Sequence, residues 1–166
     1  MTLVSGILLG LHILSAASWF GAALLFATVV GPTIGDFTPS TSGEVVVKML
    51  PKYLRFMAVF TVLTPILGVV TAYTSSGGSL SAFAPTSSYG MFISAGALLS
   101  LITWVVVFGV IYPTGRKIIK ITAEVVKNQT PQPPGLPRLA MRLKISSGVG
   151  LALLIAILVC MIAAAQ

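Results

Sequence analysis

The segment Leu3–Val30, LVSGILLGLHILSAASWFGAALLFATVV, is the strongest indicator of the fold in this sequence. It holds no charged residue and is longer than the ~20 residues that cross the hydrocarbon core of a bilayer. Because lipid offers backbone groups no hydrogen-bond partner, such a segment must be helical. A cleaved signal peptide is not predicted, since the start Met1–Val4 has no basic residue and the apolar run is too long. We therefore expect a membrane helix that ends at Gly31–Pro32.

Three more apolar segments of spanning length follow, at 51–73, 89–112 and 139–165. None shows the period-2 alternation of a barrel strand, so each is predicted to be a helix. Of the 166 residues, 56% are hydrophobic and 8% are charged, whereas a soluble domain has about 25% charged residues. A chain with so little charge cannot cover its surface in water. The prediction is a single all-α domain over residues 1–166, a four-helix transmembrane bundle.

The ten Lys and Arg residues lie in or beside the first and third connections, whereas the second connection, 74–88, has none. The formal net charge of +7 would indicate nucleic acid in a soluble protein, but in a membrane chain it is interpreted by position. Basic connections face the cytoplasm. We therefore predict a multi-pass protein of the cell or cytoplasmic membrane, with both termini extracytoplasmic and no nucleic-acid partner.

Residues 115–128 have apolar side chains at helical spacing with basic side chains between them. This pattern predicts a short amphipathic cytoplasmic helix between the third and fourth helices, which either lies among the lipid headgroups or extends the third helix. Four prolines at 131–137 then predict an extended link. The basic side chains predicted to face membrane lipid are Arg116, Lys117, Lys120 and Lys127.

The first helix has two distinct faces at about 100° per residue. One face carries only small residues, which let a neighbouring helix approach closely and predict a helix-packing surface. Its partner is either the same bundle or another chain. The opposite face is polar and aromatic and includes His12 and Trp19. The small residues are Gly6, Gly10, Ala17 and Gly21.

His12, the single histidine, lies about 13 Å from the predicted outer end at ~1.5 Å per residue. Thr64–Pro65, Leu99–Ser100 and Ala156 are expected at the same depth. An intramembrane ionisable residue is a functional candidate, and three roles stay open. His12 is a packed polar residue satisfied by Ser15 or a threonine, a ligand of haem or copper, or a group that handles protons.

The chain offers His12 no second ligand at its own depth. Met161 and Cys160 are the nearest soft side chains, at ~5–8 Å closer to the outer surface. A second ligand is therefore expected from another copy or another subunit. The sequence contains no acidic residue in the outer half of any helix, no Gly-rich phosphate loop, no nucleophilic triad and no cysteine cluster. These absences favour a non-catalytic role.

In the first helix, Leu11-His12 is followed by Trp19-Phe20-Gly21 and Val29-Val30-Gly31-Pro32, and the second helix carries Arg55, Pro65 and Gly68. This pattern resembles the first two helices of the CopD-like and HemJ-like membrane families. The resemblance covers about 70 residues of the chain. It implies that His12 is a haem or copper ligand and that Trp19 belongs to its pocket. CopD relatives are associated with copper handling, and HemJ relatives with haem and protoporphyrinogen oxidation.

The sequence is consistent with two functions. The first is a non-catalytic accessory subunit packed within a larger membrane complex, including a redox or copper-handling one. The alternative is a CopD/HemJ-like protein that binds haem b or copper through His12, with Trp19 and Met161 as further cofactor-binding candidates. In both cases the expected partners are membrane lipid and either other membrane subunits or further copies of the chain.

Overall fold

The computed structural model describes residues 3–166, and within that range every regular element is a helix. Each of its four long helices is long and apolar enough to cross a membrane. This confirms the predicted all-α class and the four apolar helices. A short 3-10 turn, Leu80–Phe83, lies in the second connection. The long helices are α1 (Leu3–Asp36), α2 (Pro39–Ser75), α3 (Ser88–Asn128) and α4 (Leu136–Ala164).

The helices are longer than the sequence predicted, and the first connection is nearly absent. Helix α2 begins at Pro39 rather than at residue 51, so only Phe37 and Thr38 separate it from α1. The side chain of Thr38 caps α2, because its Oγ1 accepts from the Thr41 N–H at 3.4 Å. Threonine at the N-cap and proline at the first position start a helix. The Ser/Thr/Pro composition of this stretch therefore marks a helix start and not a loop.

Both α1 and α3 continue through a proline that was expected to end or bend them. A π-helical segment precedes each proline, Phe26–Val30 in α1 and Val107–Ile111 in α3. Its last bond joins residues five apart, as from the Tyr112 N–H to the Val107 carbonyl. Proline lacks an N–H and crowds the preceding turn, and a wider π turn accommodates it. The predicted ends at Gly31–Pro32 and Tyr112 are corrected accordingly.

Consecutive helices pack antiparallel, because the contact residues run in opposite order along each pair. The rings of Phe26 and Tyr53 stack with centroids 4.1 Å apart between α1 and α2. The other two interfaces are made at glycines: Leu54 lies on Gly115 between α2 and α3, and Met161 lies on Gly96 between α3 and α4. A buried cluster of Trp19, Ala23, Met57 and Leu154 joins α1, α2 and α4.

The amphipathic stretch predicted at 115–128 extends α3 and packs against the start of α2. Ile118 is buried in a second cluster with Leu50, Leu54 and Leu136. Farther along, a Cβ at Gly43 would lie 2.8 Å from Cγ2 of Val126, so the two helices touch there. Of the two sequence alternatives, the structure shows an extension of the third helix. Its basic side chains are exposed, and we call this part of the bundle the basic end.

Candidate functional site

The candidate site lies at the interface of α1 and α2, where each helix contributes a polar face. Residues three and four apart share one face of a helix, so one face of α1 carries the predicted side chains and one face of α2 carries hydroxyls and a glycine. From α1 these are His12, Ser15 and Trp19, and from α2 they are Thr61, Thr64, Gly68 and Thr71.

The imidazole of His12 is held against α2 by one hydrogen bond and one close approach. Its Nδ1 lies 3.1 Å from the carbonyl oxygen of Thr64. Because a carbonyl only accepts, Nδ1 carries the hydrogen and donates it, and the neutral ring has its lone pair on Nε2. A Cβ at Gly68 would lie 2.9 Å from Cε1 of His12. Glycine at this position therefore lets the ring lie directly on the α2 backbone.

Ser15 and Thr64 form a second polar contact one turn further along α1. Their hydroxyl oxygens are 2.6 Å apart and both side chains are buried. Thr64 thus interacts with α1 through both its carbonyl and its hydroxyl. The sequence placed Thr64 at the depth of His12, and the structure brings these two residues together. The contact agrees with the packed-polar alternative for His12 and leaves Nε2 unprotonated for the ligand alternative.

Further polar atoms in the core have no hydrogen-bond partner among residues 3–166. They are Nε1 of Trp19 and the hydroxyl oxygens of Thr61 and Thr71. Trp19 is 2% exposed and Thr61 is 0% exposed, and Trp19 lies one turn beyond Ser15. A buried polar atom left unpaired costs about 1–3 kcal/mol. The helices around the site therefore retain hydrogen-bonding capacity that the chain itself does not use.

The other two cofactor candidates lie away from the imidazole's contacts with α2. Trp19 packs in the central cluster with Met57 and Leu154, and Met161 packs on Gly96 between α3 and α4. Within residues 3–166 no group of three or more His, Cys, Asp and Glu side chains could hold a metal ion. His12 is the single imidazole of the chain.

The small-residue face of α1 is not covered by the chain's own helices. Gly6, Gly10, Ala17 and Gly21 are all exposed. A Cβ at any of the three glycines would meet nothing within 4 Å. We call these four residues the α1 seam. The sequence left open whether this seam faces its own bundle or a neighbour, and the structure shows that it points away from the bundle.

The sequence did not predict which residues of the neighbouring helices the candidate side chains contact. Gly68 supports His12 and Gly96 supports Met161. Both glycines belong to small or polar stripes on their helices, at i, i+3 and i+4 spacing, and that spacing is the available signal. It does not identify the side chain on the facing helix, because that pairing depends on the vertical alignment of two helices.

The described part of the chain is that of a helical membrane protein with four apolar helices and an imidazole at a helix interface. Comparison of the chain with protein-family models, curated proteins and solved structures finds no match.

Proposed function

We propose that this chain is a non-catalytic subunit of a larger membrane-embedded complex. The observation that carries the proposal is the exposed α1 seam, with open space above Gly6, Gly10 and Gly21. In lipid, helices associate through close packing at small residues and not through hydrophobicity. The seam would receive a transmembrane helix of another subunit or of a second copy of the chain.

The division of α1 into two faces supports this role. On one face His12 and Ser15 are hydrogen-bonded to Thr64, so that face packs against α2. The seam on the remaining surface therefore stays available for a partner. Exposed glycines in the middle of a helix weaken it by about 0.5–1 kcal/mol each relative to alanine. A close helix–helix contact would offset that cost.

In this proposal the four helices each cross the membrane and the basic end faces the cytoplasm, with both termini outside. The exposed side chains of the α3 extension would lie near anionic headgroups of that leaflet, where each basic residue adds about 1 kcal/mol of attraction. The extension would therefore hold the subunit at a defined depth in the complex. Its basic side chains are Arg116, Lys117, Lys120 and Lys127.

The test compares two kinds of glycine substitution in the natively purified protein. The double variant Gly6→Leu/Gly10→Leu fills the seam, whereas Gly148→Leu fills an equally open position on α4. We expect the seam variant to lose its partner chains or its dimer by about tenfold, equivalent to ~1.4 kcal/mol, while Gly148→Leu stays within twofold. A seam variant that keeps the full complex on native gels would reject the proposal.

A second candidate function is the binding of haem b or copper through His12. The observation that favours it is the Nδ1–H···O=C bond to Thr64, since ligating histidines commonly donate their other ring N–H to a backbone carbonyl. Nε2 of His12 would be the ligand atom, with Trp19 as part of the surrounding wall. The bound group would supply electron transfer, and the second ligand would come from another chain.

The optical spectrum, the metal content and the co-purifying chains of one native preparation separate the two functions. Under the second function, the wild-type protein shows a Soret band or stoichiometric copper, and His12→Ala loses it. A wild-type preparation with its partners bound but neither haem nor copper would reject the second function and leave the first intact.

A further inference from the structure

A groove of about 600 Å³ runs between α3 and α4 near the basic end of the bundle. Apolar side chains form its walls, Val106 and Val110 from α3 and Met141, Ile145 and Val149 from α4. Its volume lies within the ~300–1,000 Å³ of typical small-molecule sites. The α4 wall is open to the surroundings, since Ile145 is 60% exposed and Val149 is 48% exposed. The groove can therefore admit an apolar chain from the side.

Two local features lie at the middle of the groove. The π segment Val107–Ile111 begins directly after Val106 and contains Val110, and such segments alter the spacing of side chains along a helix. On α4 the hydroxyl of Ser146 donates to the carbonyls of Arg142 and Leu143, at 2.8 and 3.1 Å. Because this hydroxyl is bonded to its own helix, the middle of the groove offers no free polar group.

Two arginines lie at one end of the groove. Arg138 and Arg142 are four residues apart, so they share the α4 face that lines it. Both are exposed, and the salt bridge that forms within residues 3–166 joins Lys48 and Glu44 instead. Guanidinium groups bind phosphate oxygens in a bidentate manner. Val149 lies two turns beyond Arg142, so the apolar wall reaches about 10 Å past the charges.

We propose that this groove binds one anionic phospholipid from the leaflet at the basic end. Its phosphate lies between Arg138 and Arg142, and one acyl chain lies along Val106, Val110 and Val149. The two arginines lie at the end of the groove where the lipid phosphate would lie, and the apolar wall extends from them in the direction that the acyl chain would take. This site differs from general attraction of anionic lipid by the α3 extension, because it needs an apolar groove next to the charges. It does not depend on a partner at the α1 seam.

Native mass spectrometry of the full chain, released from micelles doped with phosphatidylglycerol or phosphatidylcholine, tests the site. The variant Arg138→Gln/Arg142→Gln is compared with Lys48→Gln/Lys52→Gln, which removes the same charge from two exposed lysines, also four residues apart, that lie on α2 outside the groove and outside the α3 extension. We expect bound phosphatidylglycerol to fall about tenfold in the arginine variant and to stay within twofold in the lysine variant. Wild-type protein should retain phosphatidylglycerol at least fivefold better than phosphatidylcholine. Equal losses in both variants would mean charge attraction alone and would overturn the proposal.

A third variant, Val149→Trp, fills the groove without changing the charge. Since Val149 is half exposed, the larger side chain can enter the groove without disturbing the core, so this variant also answers the question if the arginine variant does not fold. It should lose bound phosphatidylglycerol about as strongly as the arginine variant. Unchanged lipid binding in Val149→Trp would show that no acyl chain lies in the groove, and the proposal would fail.

Discussion

His12 in α1 donates from Nδ1 to the backbone carbonyl of Thr64 in α2, over 3.1 Å, with its ring lying on Gly68. One side chain thus joins two helices through a backbone group that no substitution at position 64 removes. The contact sets the tautomer of the imidazole, because the donor must be Nδ1. It also depends on the absence of a side chain at position 68.

Gly68→Ala should destabilise the protein, although glycine to alanine within a helix normally stabilises it by about 1 kcal/mol. The new Cβ would lie 2.9 Å from Cε1 of His12, so the ring must move and its bond to Thr64 must lengthen. We expect a net loss of about 1–2 kcal/mol in unfolding free energy. Gly148→Ala, where a Cβ meets nothing within 4 Å, should be stabilising in the same SDS-unfolding titration. Equal stabilisation by both changes would contradict the described packing of His12.

The hydroxyls of Ser15 and Thr64 should show an energetic coupling in a double-mutant cycle. Ser15→Ala and Thr64→Val each remove one partner of the 2.6 Å contact, while the Thr64 carbonyl stays in place for His12. The coupling should be about 0.6 kcal/mol or more, the average for interhelical hydrogen bonds in membranes.

The control cycle pairs Thr64→Val with Ser18→Ala. The Ser18 hydroxyl bonds to the Leu14 carbonyl of its own helix, so these two changes should be additive. Additivity in the first cycle as well would show that Ser15 and Thr64 do not interact.

A disulfide should form between Gly43→Cys and Val126→Cys in a Cys160→Ser background. A Cβ at Gly43 would lie 2.8 Å from Cγ2 of Val126, and disulfides need Cβ atoms about 3.5–4.5 Å apart. Gly43→Cys/Lys127→Cys should cross-link poorly, since the next residue lies about 100° around the helix. Gel mobility after mild oxidation distinguishes the two pairs. Comparable cross-linking of both would indicate an α3 extension that is not docked on α2.

The orientation inferred from the basic connections predicts which cysteines an impermeant maleimide reaches in intact cells. In the Cys160→Ser background, Ser79→Cys in the uncharged second connection should be labelled from outside. Thr130→Cys, in the basic third connection, should be labelled only after the membrane is permeabilised. Both positions are exposed. The reverse pattern would overturn the predicted topology.

The existence and number of the helices could be predicted, because segments such as Leu3–Val30 are uncharged over a bilayer's thickness. The residues at which the helices end could not be predicted. Proline commonly ends or kinks a helix, but in this structure α1 and α3 continue through Pro32 and Pro113 after a π segment, and α2 continues through Pro51 and Pro65. No local pattern in the sequence identifies those segments.

The candidate site was predicted in part. His12 and Thr64 were placed at one depth by counting residues from the helix ends, and they are hydrogen-bonded. Met161 was named by its chemistry, and it lies on Gly96 between α3 and α4. Residue counting gives depth along the membrane normal. It does not tell which helices are neighbours or which faces meet, since these depend on packing between distant segments.

The four apolar helices and the gathering of basic residues at one end follow from the amino-acid sequence alone, because hydrophobicity and charge are read locally along the chain. Which face of α1 packs against the bundle depends on contacts between distant segments and is visible only in the folded chain. His12 and Ser15 bind Thr64, so the seam containing Gly6 and Gly10 points outward. This face of α1 is selected because α2 presents a carbonyl, a hydroxyl and a glycine to its polar side chains. A buried polar side chain without a hydrogen-bond partner costs free energy, whereas the glycines of the seam have no side chain to pair.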